Sequence, residues 1–397
     1  MLGSLLPSTE IVYVKAGNVS EFRNKTDLLK SRAVNDFHHA QDAYLNIVVG
    51  NTYHTKFTKN PINFIRAYRK ERKTNEYHTD KMFQYDVVRD GVVAWQAGER
   101  GTIITVRRMM AKNTPLVTKR TYEKHGGIAD QTIYSAKEAN AEYYIPVKTN
   151  NSRLGDVTKY GGFSSVSGAY YFLVEHEKKG KQIRTLEQIP IYLKEKLEMD
   201  EEALKEYCCA NLKLVNPVIR VRKIPIKSLV KRNGYWMRLS GRTGNRIAVD
   251  NDVSLCLSQA WVNYIKRLET FKESGREKDC SKEEKKKISV EKNLLLFQEL
   301  LQKHTGTIYQ RKPNPLGKKL IEKQEVFGNL FLREQGNTLL ELLKITQSSN
   351  LNVEVKEIGL KSSPAKIPNE VSSQNEFLLI NQSITGIYTS VIDLKTI

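Results

Sequence analysis

Cysteine is scarce in this chain and badly spaced for chemistry. Cys208, Cys209, Cys256 and Cys280 are spread over 397 residues and none forms a CxxC pair. That spacing argues against a zinc centre and against a disulfide framework. Thiols so placed fit a reduced, cytoplasmic protein. Long apolar runs are missing too: none approaches the ~20 residues that a membrane span needs. The start, Met1-Leu2-Gly3-Ser4-Leu5-Leu6-Pro7, is too short and uncharged for a secretory signal. No repeat and no low-complexity tract is present. Acidic residues are in deficit. There are 44 Asp+Glu against 64 Lys+Arg, a formal net charge of +20. A chain this basic expects a polyanionic partner, nucleic acid first and an anionic membrane surface second. The membrane is disfavoured because no basic amphipathic stretch stands out. What is present in quantity is core-forming material. Forty per cent hydrophobic residues over this length support two or three domains.

Periodicity predicts a strand over residues 8–15, with a turn at Gly17-Asn18. A helix is expected from Asn35 or Asp36, both good caps, to about Thr55. Phe37, Ala40, Tyr44, Ile47 and Val48 would be its buried stripe. A second helix is expected over 61–72, carrying the basic cluster Arg66, Arg69, Lys70, Arg72 and Lys73. Residues 91–95 and 102–106 look like strands. From about Leu116, strands and glycine turns take over, with clear strand patterns at 169–174 and 217–221. Helices return at 258–268, 281–303 and 330–343, and residues 377–394 read as two short strands around Gly386.

The run Asp36-Phe37-His38-His39-Ala40-Gln41-Asp42-Ala43-Tyr44-Leu45-Asn46 carries the chemistry. His39 and Asp42 are three apart, on one helix face. Asp42 is a ligand type for a hard cation such as magnesium. His39 is a group able to move or position a proton of water. Two-metal phosphodiester sites need several carboxylates, and this stretch supplies half a site. Asp36, at the helix start, reads more simply as a cap. Histidines near an apolar helix face are more often structural than catalytic, so spacing alone makes the nuclease reading the minority one.

Several segments together resemble one family. They are His38-His39-Ala40-Gln41-Asp42-Ala43-Tyr44-Leu45-Asn46, with Tyr13-Val14-Lys15-Ala16-Gly17 before it and Thr105-Val106-Arg107-Arg108 after it. Lys159-Tyr160-Gly161-Gly162-Phe163 and Asn381-Gln382-Ser383-Ile384-Thr385-Gly386-Ile387-Tyr388 follow in the same order. The chain resembles the C-terminal part of the RNA-guided DNA endonucleases of type II CRISPR systems. The resemblance implies an α+β fold. An incomplete RNase H-like (RuvC) nuclease portion over 1–119 would be followed by a β-rich region that reads the short duplex motif called the PAM. That region would comprise a topoisomerase-like β subdomain over 120–222 and a mixed α/β C-terminal subdomain over 223–397. It implies guide-directed cleavage of double-stranded DNA in antiviral defence, in a bacterial cytoplasm. The partners would be guide RNA (crRNA and tracrRNA), target duplex with its PAM, and an N-terminal part of the same nuclease, but no membrane. The cofactor would be Mg2+, with Mn2+ as the alternative ion.

By the same resemblance His39 matches the general base and Asp42 the last metal-binding aspartate, so both belong to the metal site. His38 has no assigned role. Gln41 replaces a second histidine of the run. The loop after Gly126-Gly127 matches one that holds a target-strand phosphate, placing Asp130, Gln131 and Thr132 there. The PAM-reading stretch corresponds to 359–369, which contains no arginine. A two-arginine reader of GG within it is therefore excluded. Lys361 and Lys366 are left as candidates for guanine, and Asn369 or Gln374 for adenine. Two rivals stand beside this reading. One is a standalone enzyme with carboxylates drawn from Asp36 or Glu10. The other is a non-catalytic module that binds nucleic acid by charge.

Overall fold

The computed structural model describes residues 2–5, 7–9, 11–57, 79–112, 114–124, 133–137, 144–147, 155–163, 166–273, 287–304, 307–308, 316–347 and 353–397. The fold is α+β. The helix expected over 61–72 and its basic cluster lie outside the described residues. The chain divides into two compact units that interleave in sequence. The first comprises Met1–Val117, Ser254–Lys303 and Glu325–Lys344; the second comprises Thr118–Val253, His304–Gln324 and Ile345–Ile397.

In the first unit, the helix His38–Phe57 packs against the helix Ala16–Thr26 and the hairpin Val87–Arg89/Val92–Trp95. Here two expectations are corrected. Residues 11–15 are irregular rather than a strand, and Gly17-Asn18 open a helix rather than a turn. Val19, Phe22 and Arg23, at helical spacing, are what that segment buries. Asp27 closes the helix in the left-handed region at φ 54°, its N–H donating to the Arg23 carbonyl. The stretch 102–106 is likewise not a strand but the start of the helix Thr102–Met110. Its β-branched residues favour a strand locally. Burial of Ile103, Val106 and Met110 along one helix face outweighs that preference.

The buried face of the long helix overlaps the expected stripe in part: Phe37 is buried, and Tyr44 and Val48 pack against the core. Leu45, Val49, Thr52 and Tyr53 are inside, while Ala40 and Ile47 are exposed. Apolar residues occur almost all round this helix, so period alone could not choose the face. The neighbouring helix and hairpin chose it. Later helices of the unit include Gln259–Glu273, Val290–Lys303 and most of Leu332–Gln347. A buried polar chain ties them. Tyr264 Oη donates to Asn293 Oδ1 at 2.6 Å, and Asn293 Nδ2 donates to Gln335 Oε1 at 3.2 Å.

The second unit holds two larger sheets. The four-stranded sheet runs Glu370–Val371, Lys181–Pro190, Gly168–Lys178, Val215–Pro225. Residues 168–174 are all buried, so both faces of that strand are covered; the helix Glu201–Ala210 contributes Leu204 and Cys208 to one of them. The six-stranded sheet runs Lys366–Pro368, Arg246–Asn251, Tyr235–Thr243, Leu229–Arg232, Phe377–Gln382, Thr389–Asp393. Its last two strands are those expected around Gly386.

The Lys159–Phe163 motif has a steric explanation. Gly161 takes φ +73°, and the backbone of Gly162 pairs with Tyr134 in both directions, at 2.8 and 3.2 Å. A Cβ on Gly161 would run into the Tyr134 carbonyl oxygen. Gly161→Ala therefore combines a left-handed backbone with a backbone clash. The expected cost is about 2–4 kcal/mol. Urea denaturation followed by circular dichroism tests this; a loss under about 0.5 kcal/mol would show that the turn relaxes freely.

Candidate functional site

The long helix starts where Asn35 folds back. Its Oδ1 accepts from Phe37 N–H at 2.9 Å and its Nδ2 donates to the Leu255 carbonyl at 2.6 Å. Asp36, exposed at this corner, contributes its carbonyl to the N–H of His39 at 3.1 Å. His38 is buried with Nδ1 2.8 Å from the Asn35 carbonyl, whereas His39 is exposed, its ring 4.2 Å from that of His38.

Asp42, one turn further on, is held by two cations. Arg23 Nε donates to its Oδ1 at 3.0 Å, and Nη2 lies 2.8 Å from the same oxygen. Lys30 Nζ reaches Oδ2 at 2.5 Å. Burial of Asp42 acts to raise its pKa. The Lys30 hydrogen bond together with the Arg23 charge and hydrogen bond outweighs it, and the carboxyl lies below the usual range. Arg23 is itself only 3% exposed, and its Nη1 donates to the Leu28 carbonyl at 2.8 Å. The loop bearing Lys30 is pinned by Asn263, which accepts from Leu29 N–H at 3.0 Å and donates to the Asp27 carbonyl at 2.6 Å.

These groups line a cavity of about 710 Å³. Arg23, Lys30, Arg32 and Lys266 face two acids, Asp42 and Glu269. Glu269 is paired with Lys266 at 3.0 Å and accepts from Ser31 Oγ at 2.6 Å. Such a cavity is basic on balance and suits an anion better than a cation. His39 is not among its lining residues. Among the described residues no three His, Cys, Asp or Glu side chains come together as a metal centre. One carboxylate already neutralised by two cations does not fit a divalent ion by itself. Arg23 and Lys30 escaped the sequence reading. Their link to Asp42 spans 19 and 12 residues and follows no motif.

In the second unit the phosphate-loop candidates Asp130, Gln131 and Thr132 lie outside the described residues. The four PAM candidates do not form one cluster. Lys361 is exposed on a two-residue strand paired with Glu354–Val355. Gln374 is exposed, its N–H donating to Ser372 Oγ at 3.2 Å. Lys366 opens the outermost strand of the six-stranded sheet. Asn369 is buried at the joint where the chain leaves that sheet for the four-stranded one. Its Nδ2 donates to Glu187 Oε1 at 2.9 Å, its N–H to the Asn245 carbonyl at 3.1 Å, and its carbonyl accepts from Leu186 N–H at 2.9 Å. Arg232 braces the same joint, donating to the Pro368 carbonyl at 2.8 Å.

Around this joint lies a polar cavity of about 410 Å³ whose lining includes Asn369, Glu187, Arg242 and Asn245. Glu187 and Arg242 form an ion pair. Burial pushes the Glu187 carboxyl up, and the Arg242 charge opposes it without cancelling it. Glu187 and Arg242 were not legible as a site, since 182 residues separate Glu187 from Asn369.

Comparison with known proteins gives two matches, in order along the chain. Residues 6–110 match the family model of the Cas9 RuvC domain, and residues 125–390 that of the PAM-interacting domain of CRISPR-associated endonuclease Cas9. The CRISPR-associated endonuclease Cas9 of Streptococcus mutans is 27% identical over 414 residues, covering 97% of this chain and 29% of the relative. That of Listeria innocua is 31% identical over 221 residues, covering 51% of this chain and 16% of the relative. The chain thus spans less than a third of either relative's length.

Proposed function

Because the chain belongs to the Cas9 family of CRISPR-associated endonucleases, we propose that it supplies part of the RuvC site and the PAM-reading surface of a nuclease cleaving double-stranded DNA under RNA guidance, in antiviral defence. Its partners are then guide RNA (crRNA and tracrRNA), PAM-bearing duplex, and the rest of such a nuclease. No described helix is long and apolar enough to cross a membrane.

The observation that carries the reading is the pairing of two matched domains with two different sites. The RuvC-matched region places the exposed His39 and the clamped Asp42 one turn apart on one helix. The PAM-interacting match encloses a separate polar cavity at the Asn369 joint. In this reading His39 handles a proton of attacking water and Asp42 is a metal-site carboxylate. Mg2+, or Mn2+ in its place, would supply charge stabilisation at the phosphodiester. It requires carboxylates beyond those the described residues bring to Asp42. No hydrolytic step is therefore assigned to this chain alone, which acts by itself as a basic module for DNA and RNA.

Two measurements test this. The purified chain is expected to leave single-stranded DNA uncut in Mg2+; cutting abolished by Asp42→Ala would refute the inactive-module reading. Competition among duplexes of varied PAM sequence is expected to show a motif preference above a salt-dependent background. A module that binds through charge alone would show the background without the preference.

A further inference from the structure

Resting on the reading of Asp42 as a metal-site carboxylate, we infer that Lys30 is a displaceable counter-ion. Its ammonium holds Oδ2 of Asp42 against a divalent cation, and the cation enters only when that side chain withdraws. Arg23 stays in place as the fixed partner.

The two cations on Asp42 are held differently. The Arg23 side chain is 4% exposed, and its guanidinium is tied at both ends, Nε to Oδ1 at 3.0 Å and Nη1 to the Leu28 carbonyl at 2.8 Å. Moving it would strip a buried carbonyl of its donor and leave a guanidinium unpaired out of water. The Lys30 side chain is 36% exposed and meets Oδ2 through one ammonium at 2.5 Å. Its neighbours on both sides are pinned. Leu29 N–H donates to Asn263 Oδ1 at 3.0 Å, and Ser31 Oγ donates to Glu269 Oε1 at 2.6 Å. The backbone at Lys30 is therefore held, and the side chain is what moves. Its flexible four-carbon stem allows this, and it lines the cavity of about 710 Å³ into which it can swing. An ammonium at a partly exposed site leaves a carboxylate at small cost, because water takes its place.

Competition follows from charge. A divalent cation coordinates carboxylate oxygens directly. Oδ1 is taken by Arg23, so Oδ2 is the oxygen on offer, and the ammonium sits on it. With Lys30 in place, Asp42 already faces two positive charges, and a metal ion would arrive against both. Withdrawal of Lys30 frees one oxygen and removes one repelling charge together.

The test is a titration of Mn2+ alone, into the millimolar range, on the whole chain labelled at histidine. Paramagnetic broadening of the ring signals is followed by NMR. His39 lies one turn from Asp42 on the same helix, so an ion on Asp42 broadens it. His54 is the reference, about 18 Å further along that helix at 1.5 Å per residue. Lys30→Met is expected to broaden His39 selectively at an Mn2+ concentration about 3- to 10-fold lower than the unaltered chain needs, the size of one partly exposed ion pair. Lys30→Arg keeps the charge and should match the unaltered chain. Adding Asp42→Asn to Lys30→Met should cancel the gain. Arg23 keeps Oδ1 in both Lys30 variants, so the fold should be retained, which thermal melting checks. The same Mn2+ requirement in Lys30→Met and the unaltered chain, sensitive in both to Asp42→Asn, would overturn the role of Lys30 and leave Asp42 a metal carboxylate. A gain shared by Lys30→Arg would mean that packing excludes the ion, and would also overturn it. No selective broadening of His39 in Lys30→Met would show that something other than Lys30 keeps the ion out. A gain that survives Asp42→Asn would place the ion elsewhere and remove the reading of Asp42, and the inference with it.

Discussion

Arg23→Met, which removes one partner of an ion pair whose full burial would make that loss worth about 3–5 kcal/mol, is expected to destabilise the first unit by about 2–4 kcal/mol. The lower half of that range is the better expectation. The Asp42 side chain is 27% exposed, so water partly compensates the lost partner. Lys30 stays on the other oxygen. The loss has two sources: the Asp42 contact and the hydrogen bond that Arg23 gives the Leu28 carbonyl. A double-mutant cycle with Asp42→Asn separates them, and a coupling of about 1–3 kcal/mol between the two positions is expected. Chemical denaturation followed by tryptophan fluorescence reads it, since Trp95 is buried in this unit. Additive single changes would show that Arg23 serves the helix end alone and does not hold the carboxylate. The same cycle bears on function, because the rotamer of Asp42 in any assembled nuclease site would inherit this buried clamp.

The second large effect is on pH. His304 is buried, and burial pushes its pKa from 6.5 down to about 4. The unfolded chain takes up this proton near 6.5 and the folded chain only near 4. Between those values the unfolded state binds more protons, so stability falls as pH falls. The contribution is fully present above about 6.5 and is lost progressively toward 4. From pH 7.5 to pH 5 the loss from this residue is about 2 kcal/mol, at 1.36 kcal/mol per unit below 6.5. Urea midpoints of the unaltered chain and His304→Gln at both pH values isolate it from other titrating groups. The variant should lose less on acidification. Equal losses in both proteins would mean that His304 is solvated when protonated.

Much of this protein was legible in its residues. The excess of 20 positive charges pointed to a polyanion, and the spaced motifs led to the family. Strands such as Gly168–Lys178 and helices such as Val290–Lys303 follow from local pattern, because their composition and periodicity agree with their packing. Local pattern failed where it conflicted with the neighbours. The segment at Thr102 has strand-forming residues and becomes a helix because Ile103, Val106 and Met110 share a core with Leu45 and Trp95. Gly17-Asn18 looks like a turn and opens a helix because Phe22 and Val19 are wanted inside.

Site chemistry divides in the same way. His39 and Asp42 could be named from a nine-residue run because helix geometry relates neighbours in sequence. What Asp42 touches could not, since Arg23 and Lys30 reach it through the way two helices and a loop pack. The Arg242–Glu187–Asn369 cluster is the extreme case. Two strands and a chain joint far apart in the sequence converge on one cavity, and pairing register decides which strand side chains share a face. Residue types determined the chemistry this chain can offer. Register and burial decided which of those groups meet, because a contact between distant segments depends on the whole packed arrangement and leaves no local trace in the sequence.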